Sequence, residues 1–291
     1  MTVDEISVGS PAASADGGRP VPQQVSGMRA QARVATELRT SPGGRQRSCV
    51  STLRSQAPLA LRLTRAKARE PWAAHAADIA RVSLAAGAGG PVGGDQLILR
   101  VEVGPGSSLV LSEISPTLLL PGPRGERSAT HVRIQVAAGA TLIWLPEPII
   151  AARGCDHLHD VVVDLDEGAR FFMREELLLG RHGEETGRVT QRVSVRHGGR
   201  PLYRQDIGIG TAGADTPAVI GHHRAVGSAL IVDPSWLSDP PSARALPGDA
   251  ALLPLSGPAA LITASAGDNL ELRAQLHAGL TALGPPWDPG R

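Results

Sequence analysis

Residues 101–111 read VEVGPGSSLVL, two short apolar runs on either side of a Gly-Pro-Gly turn. Three later stretches repeat this arrangement: IQVAAGATLIW from Ile134, VDLDEGARFFM from Val163 and VSVRHGGRPLY from Val193. In each stretch a glycine follows a pair of aliphatic residues that lie two positions apart, and an apolar residue returns three or four positions later. The spacings between the glycines, which are Gly106, Gly139, Gly168 and Gly198, are 33, 29 and 30 residues.

The apolar residues of these runs alternate with more polar ones, as Leu97, Leu99, Val101 and Val103 do. A period of two is typical of a strand with one buried face, and glycine permits the positive φ of a tight reversal. A single hairpin cannot bury its apolar face, whereas hairpins stacked at a period of about 30 residues bury a continuous core. We therefore predict a mainly β protein, a β-helix or solenoid-like stack of antiparallel hairpins. An ordinary antiparallel protein with glycine turns is the alternative.

The two ends of the chain differ from this pattern. Residues 1–27 are rich in Ser, Gly, Pro and Ala, which predicts a disordered tail. Residues 268–284, DNLELRAQLHAGLTALG, carry leucines near helical spacing, with Asp268 or Asn269 as the N-cap and Gly284 followed by two prolines as the end. The predicted organisation is a tail at 1–27, a β domain at 28–284 that closes with a helix, and a short tail at 285–291.

Composition limits the classes of function. In 291 residues the charged fraction is 20% and the net charge is +1, which gives no reason to expect nucleic acid or an anionic membrane as a partner. The chain has four Trp, two Phe and one Tyr, too few for the stacking platforms typical of carbohydrate or single-strand binding. Two cysteines make no disulfide framework, and neither a membrane span nor a secretory leader is present, so the cytoplasm is expected.

No catalytic motif stands out: the sequence lacks a G-x-S-x-G elbow, a Walker loop, an H-E-x-x-H pair and a C-x-x-C pair. Metal binding is a stronger possibility. The segment CDHLH places Cys155, His157 and His159 at alternate positions, which would lie on one face of a strand. Thiolate and imidazole suit nickel, copper or zinc. A polar strand edge with two solvated histidines is the alternative.

Five phrases, in order, resemble the family of the urease accessory protein UreD, also called UreH. They are GGPVGGDQLILRVEVGPGSSLVLSE, GATLIWLPEPIIAARGCDH, REELLLGRHGEE, GRPLYRQDI and GHHRAVGSALIVDP, and the resemblance runs from about Met28 to about Leu283. It implies a non-enzymatic maturation factor that binds apo-urease and recruits a UreF-like protein and a UreG-like GTPase. Nickel would pass transiently, through a water-filled passage, without a tightly bound cofactor. Alternatives are a β-solenoid enzyme acting on polysaccharides and a plain cytosolic metal-binding protein.

The resemblance also implies site residues. Asp95 falls on the family's Gly-Asp acid, and Glu175 on the acid six residues before Arg181 of the LGR segment. Carboxylates that line a passage hold a hydrated divalent ion loosely. With Cys155, His157 and His159 they are the candidate metal contacts; alternatively, Asp95 stabilises the glycine turn and Glu175 pairs with an arginine. The loop at 114–126 lacks the lysine and aromatic residue typical of the family, which leaves its role open.

Overall fold

A computed structural model describes residues 27–65, 78–211, 216 and 219–287. The predicted tail at 1–27 therefore lies, apart from its last residue, outside the described residues. The strands, in chain order, are β1 (Arg29–Thr40), β2 (Gln46–Arg54), β3 (Leu59–Leu63), β4 (Ala80–Ala86), β5 (Gln96–Val103), β6 (Ser108–Glu113), β7 (Thr117–Leu119), β8 (Ser128–Val136), β9 (Thr141–Leu145), β10 (Ile149–Ala151), β11 (Asp156–Leu165), β12 (Arg170–Leu178), β13 (Arg188–His197), β14 (Arg200–Ile209), β15 (Ala225–Val232), β16 (Arg244–Leu246), β17 (Asp249–Pro254) and β18 (Ala259–Ala266). A short 3-10 helix spans Pro234–Leu237, and the α-helix α1 spans Asn269–Leu283.

The strands form two sheets. The first sheet has the order β14-β13-β11-β8-β5-β1-β2, and the second has the order β16-β17-β18-β15-β12-β9-β6-β4-β3, with β7 and β10 pairing alongside it. Strands β1, β5, β8, β11 and β13 are parallel neighbours in the first sheet. Strands β4, β6, β9 and β12 are parallel neighbours in the second. Equivalent residues of the first three repeats lie side by side, as Val101, Ile134 and Val163 do, whereas the fourth repeat is shifted by two residues, so that Val163 pairs with Val195. This stacking confirms the mainly β, solenoid-like fold.

The connection inside each repeat differs from the predicted hairpin. In the first three repeats the strands on either side of the glycine belong to different sheets, and within each sheet the strands of these three repeats lie side by side. Gly106, Gly139 and Gly168, with φ of 65°, 67° and 76°, form the turns between the sheets. Only the fourth repeat is a hairpin, in which β13 pairs antiparallel with β14. Alternation could not distinguish the two arrangements, because both direct the same residues towards one core.

Two apolar clusters hold these layers together. The larger lies between the sheets and includes Val101, Ile134, Val163 and Phe171. The smaller lies between the second sheet and α1, where Leu272, Leu276 and Leu280 face Phe172 and Ile262. A β-carbon on Gly279 would lie 2.6 Å from Ile262, so this glycine lets the helix approach the sheet closely.

The closing helix has the predicted limits. The Asp268 carboxylate accepts a hydrogen bond from the Glu271 amide at 2.9 Å, and Gly284 ends the helix with φ of 73°. Packing against the core continues, however, beyond residue 284, the predicted end of the domain. Trp287 is 1% exposed, packs on Phe172 and donates its indole N–H to Asp233 at 3.0 Å. The two prolines end the helix but not the domain, and residues 288–291 lie outside the described part.

Candidate functional site

The second sheet is interrupted along one line. Strand β6 ends at Glu113 and β9 at Leu145, and the chain rejoins the sheet as β7 and β10 only after Pro116 and Pro148. Strand β12 runs straight past this break: it pairs with β9 as far as Met173 and with β10 from Leu177 onwards. Proline cannot donate to a strand ladder, which explains why the break falls at these positions.

Four carboxylates lie at this break. Glu113 follows Gly106 by seven residues, Glu147 follows Gly139 by eight, and Glu175 and Glu176 follow Gly168 by seven and eight. Because the repeats stack in register, equal distances from the turn glycine bring these side chains together. The Glu113 carboxylate accepts a hydrogen bond from the Glu147 amide at 3.2 Å, which ties two successive repeats. We call these four residues the acidic layer.

A cavity with an open volume of about 940 Å³, part of it solvent, extends inward from the surface to the acidic layer. Exposed residues such as Ala86, Ala88 and Ser115 lie at its outer wall, and buried apolar side chains such as Leu97 and Trp144 line its interior. His157 and His159, on β11 of the first sheet, face the acidic layer from across the interior. The cavity is mainly apolar, and its most buried polar groups include Glu175, His157 and His159, whereas Glu113 and Glu147 are partly exposed.

Glu175 connects the two sheets. Its Oε1 lies 3.3 Å from His159 Nε2, and the residue is 5% exposed. The separation is within ion-pair distance, but neither carboxylate oxygen has a well-oriented hydrogen-bond partner. Glu175 also lines a second cavity with an open volume of about 540 Å³, part of it solvent, whose wall includes Gln191, Gln205 and Thr263. One buried carboxylate is thus shared by two cavities.

Burial sets the protonation of two neighbouring groups. It raises the pKa of Glu113 to about 7, against a smaller lowering from the Glu147 amide and His159. It also lowers the pKa of His157 to about 3, so this imidazole is neutral at physiological pH. His157 Nδ1 lies 2.8 Å from Ser128 Oγ. The inner end of the cavity can therefore offer neutral imidazole as well as carboxylate oxygen.

The other two carboxylates are paired with arginines. Glu176 has a fully buried side chain whose oxygens lie 2.8 Å from Arg174 Nε and 2.8 Å from Arg273 Nε. Arg273, on α1, also donates from Nη2 to Glu147 at 2.7 Å. Among the described residues, Glu113 and Glu175 form no salt bridge with an arginine. The acidic layer thus divides into a paired half and a half without arginine.

Comparison with known proteins identifies the family. The family model described as UreD urease accessory protein matches residues 28–287. The chain belongs to the UreD family. It is 42% identical over 256 residues to urease accessory protein UreD 3 of Streptomyces griseus subsp. griseus, which covers 86% of this chain and 96% of that protein. It is 40% identical over 262 residues to urease accessory protein UreD of Streptomyces avermitilis, with 89% and 99% covered. Membership of the UreD family supports a role of this chain in urease maturation.

The structure of this UreD-family chain brings three of the five predicted metal contacts together, namely His157, His159 and Glu175. Cys155 is also buried, but it packs in a separate apolar cluster with Leu119 and Leu177. Burial raises the pKa of its thiol to about 11, which disfavours the thiolate that binds metals. In the described ranges, no group of three or more His, Cys, Asp and Glu side chains is arranged to hold a metal ion.

Asp95 serves the glycine turn. Its carboxylate accepts hydrogen bonds from the amides of Met28 at 2.7 Å and Val92 at 2.9 Å, and the residue is 7% exposed. This is the alternative that the sequence left open, and a role for Asp95 in a passage stays a prediction. Sequence reasoning missed Glu113, Glu147 and Glu176, although their constant distance from the turn glycines was a signal for them. Among the described residues of this chain, no helix is long and apolar enough to cross a membrane.

Proposed function

We propose that this chain is a non-enzymatic, cytoplasmic scaffold that binds apo-urease together with a UreF-like protein and a UreG-like GTPase. In this complex it would pass Ni²⁺ towards the urease active site without retaining it. The observation that carries the proposal is the position of Glu175, which lies in the walls of both cavities and has neither oxygen in a well-oriented hydrogen bond. An ion that moved between the cavities would meet this carboxylate.

The chemistry of the inner cavity suits a cation in transit. Glu113 and Glu175 supply carboxylate oxygens, and His159 supplies an imidazole, a ligand type that suits nickel. A small number of carboxylates that do not form a closed coordination cage holds a hydrated divalent ion loosely, so that the ion can leave again. The mainly apolar walls give the ion few other places to bind.

Family membership also bears on the alternatives. A polysaccharide-acting enzyme would need a general acid and a base or nucleophile flanking a sugar-binding cleft. The acidic layer instead lines a mainly apolar cavity, and half of it is paired with arginines. We therefore favour an accessory role over a hydrolytic one, and transfer of a metal over its storage.

The test is urease activation in cells that carry the other urease genes. The double variant Glu113→Gln with Glu175→Gln keeps the size of both side chains. It replaces the two carboxyl groups that have no arginine partner with neutral amides. We expect it to copurify with apo-urease as the unaltered chain does, while urease-bound nickel and urease activity fall at least about tenfold. Glu102→Gln, a carboxylate on the outer face of β5 paired with Arg33, is the matched control and should not affect activity.

Three outcomes would contradict the proposal at different levels. Full urease activity in cells that lack this gene would remove the role in nickel delivery altogether. Full activity with the double variant would remove only the passage through the acidic layer and leave the scaffold role. Loss of the complex with apo-urease in the double variant would instead make Glu113 and Glu175 structural residues.

A further inference from the structure

Helix α1 contributes a charged side chain to the acidic layer from a distant part of the sequence. Arg273 contacts Glu176, 97 residues earlier, and Glu147, 126 residues earlier. Its Nε lies 2.8 Å and 3.1 Å from the two oxygens of Glu176, and its Nη2 lies 2.7 Å from Glu147. One guanidinium therefore bridges carboxylates of two successive repeats.

The fold makes room for this bridge. Gly227 on β15 lies opposite Glu176 on β12, and a β-carbon there would lie 3.1 Å from Leu272 and 3.4 Å from Leu276. The absence of a side chain at Gly227 lets α1 rest close to the sheet, and Arg273 reaches from the helix to Glu147 and Glu176. The planar fork of arginine can bond two carboxylates at once, which a lysine ammonium does less well.

The charges of the acidic layer then separate into two sets. Glu147 and Glu176 face Arg174 and Arg273, two acids against two bases. Glu113 and Glu175 lack such a partner among the described residues, and Glu175 is a buried carboxylate with no well-oriented hydrogen bond, directed into the cavity. The number of carboxylates available to a cation is thus two, although four line the cavity.

We propose that Arg273 is a positioning residue that limits how tightly the cavity binds a divalent cation. By occupying Glu147 and Glu176 it leaves Glu113 and Glu175 as the two carboxyl groups of the acidic layer without an arginine partner among the described residues. Affinity for a hard divalent ion rises with the number of charged ligands, so release of Glu147 would convert a loose site into a retaining one. This inference rests on the proposed passage of nickel. It adds that Arg273, on the closing helix, keeps the affinity of the cavity for Ni²⁺ low enough for the ion to leave.

The experiment measures binding of Ni²⁺ to the isolated full chain by calorimetry. Arg273→Gln removes the positive charge, and we expect it to bind Ni²⁺ about tenfold more tightly than the unaltered chain. Arg273→Lys keeps the charge but loses the fork, so its affinity should lie between the two. Adding Glu147→Gln to Arg273→Gln removes the released carboxylate, and this should return the affinity towards that of the unaltered chain.

A purely structural role makes different predictions. Arg273→Gln would then lower the melting temperature without changing the Kd for Ni²⁺, and the double variant would not reverse any change. Equal Kd values in folded Arg273→Gln and unaltered protein, or no Ni²⁺ binding by either, overturn the inference. If Arg273→Gln does not fold, an unchanged Kd in folded Arg273→Lys overturns it equally.

The outcome is separable from that of the proposed function. Tighter binding by Arg273→Gln, combined with full urease activation by the Glu113 and Glu175 variants, would keep the role of Arg273 and reject the passage. Activation that depends on Glu113 and Glu175, combined with an unchanged Kd in Arg273→Gln, would keep the passage and reject the role of Arg273.

Discussion

Two layers of the stack, only two or three residues apart in each repeat, are built by the same rule and have opposite chemistry. Five residues after the turn glycines lie Leu111, Trp144 and Met173, which are at most 2% exposed and pair continuously across β6, β9 and β12. Seven or eight residues after the same glycines lies the acidic layer, where the pairing breaks. Stacking makes equivalent residues of successive repeats neighbours. An apolar residue that recurs in each repeat therefore builds a core, and an acidic residue that recurs concentrates negative charge.

The difference shows what each layer requires from its surroundings. The apolar layer needs only close packing, and the parallel ladder supplies it. The acidic layer would be prohibitively costly in a closed ladder, because buried like charges repel and lose their hydration. Prolines that open the sheet, a cavity that admits solvent and two arginines offset this cost. The apolar layer and the acidic layer can therefore lie next to each other within one repeat.

The largest effect is expected in the apolar core. Val163 is fully buried between Ile134 and Val195, and Val163→Asp would place an unpaired carboxylate there. We expect a loss of at least about 4–5 kcal/mol, comparable with the whole stability of a domain, and hence loss of soluble protein. Val162→Asp is the matched control: its partner in register is Arg133 on the outer face, so a change below about 1 kcal/mol is expected in urea unfolding. Equal solubility of the two variants would contradict the sidedness of the stack.

A smaller loss is expected where a carboxylate has a structural partner. Asp95→Ala deprives the part-buried amides of Met28 and Val92 of their acceptor, and we expect a loss of about 1–3 kcal/mol. Asp95→Asn keeps one acceptor oxygen and should lose roughly half as much. Urea unfolding monitored by tryptophan fluorescence measures both. If Asp95→Ala is as stable as the unaltered protein, the turn does not depend on this carboxylate.

The sequence predicted the stack because the glycine spacing and the period of two are local features. It did not distinguish a hairpin from a turn between two sheets, since Val103 and Leu109 face one core in either case. The helix limits were predictable because Asp268 and Gly284 act on adjacent backbone groups. Trp287 was assigned to a tail because its partners, Asp233 and Phe172, lie more than 50 residues away.

The candidate site was predictable only in part for the same reason. Alternation placed His157 and His159 on one face, and the family resemblance supplied Glu175. Their convergence with Glu113 depends on which repeats stack in which register, and the pairing of Glu176 with Arg273 joins residues 97 apart. Asp95 and Glu175 resembled each other in sequence context, yet one is bonded to backbone amides and the other is not. Hydrogen-bond partners, which separate a structural acid from an available one, come only with the fold.

A pH-dependent effect is expected at Glu113. Its unfolded pKa is near the ordinary 4.5, and burial raises the folded pKa to about 7, so between these values the folded state holds a proton that the unfolded state has lost. Rising pH in this window therefore destabilises the protein, by up to about 1.4 kcal/mol per pH unit from this group. Glu113→Gln removes the effect, and the stability difference between variant and unaltered protein should change between pH 4.5 and 7 and level off outside. Parallel stability curves for the two proteins would show that Glu113 titrates normally.

The smallest effect on stability is expected at the residue most closely tied to the proposed function. Glu175 contacts His159 at 3.3 Å but has no well-oriented hydrogen bond, so Glu175→Gln removes a poorly compensated buried charge. We expect the free energy of unfolding to change by less than about 1 kcal/mol, or to rise. The adjacent Glu176→Gln is the matched comparison: it leaves Arg174 and Arg273 without their shared carboxylate, and a loss of about 3–5 kcal/mol is expected. Urea unfolding of the two single variants decides the matter, because both residues are buried neighbours on β12, with Glu175 facing His159 of the first sheet and Glu176 facing Arg273 of α1. If Glu175→Gln loses as much stability as Glu176→Gln, then Glu175 is a structural acid, and the division of the acidic layer into paired and available halves is wrong.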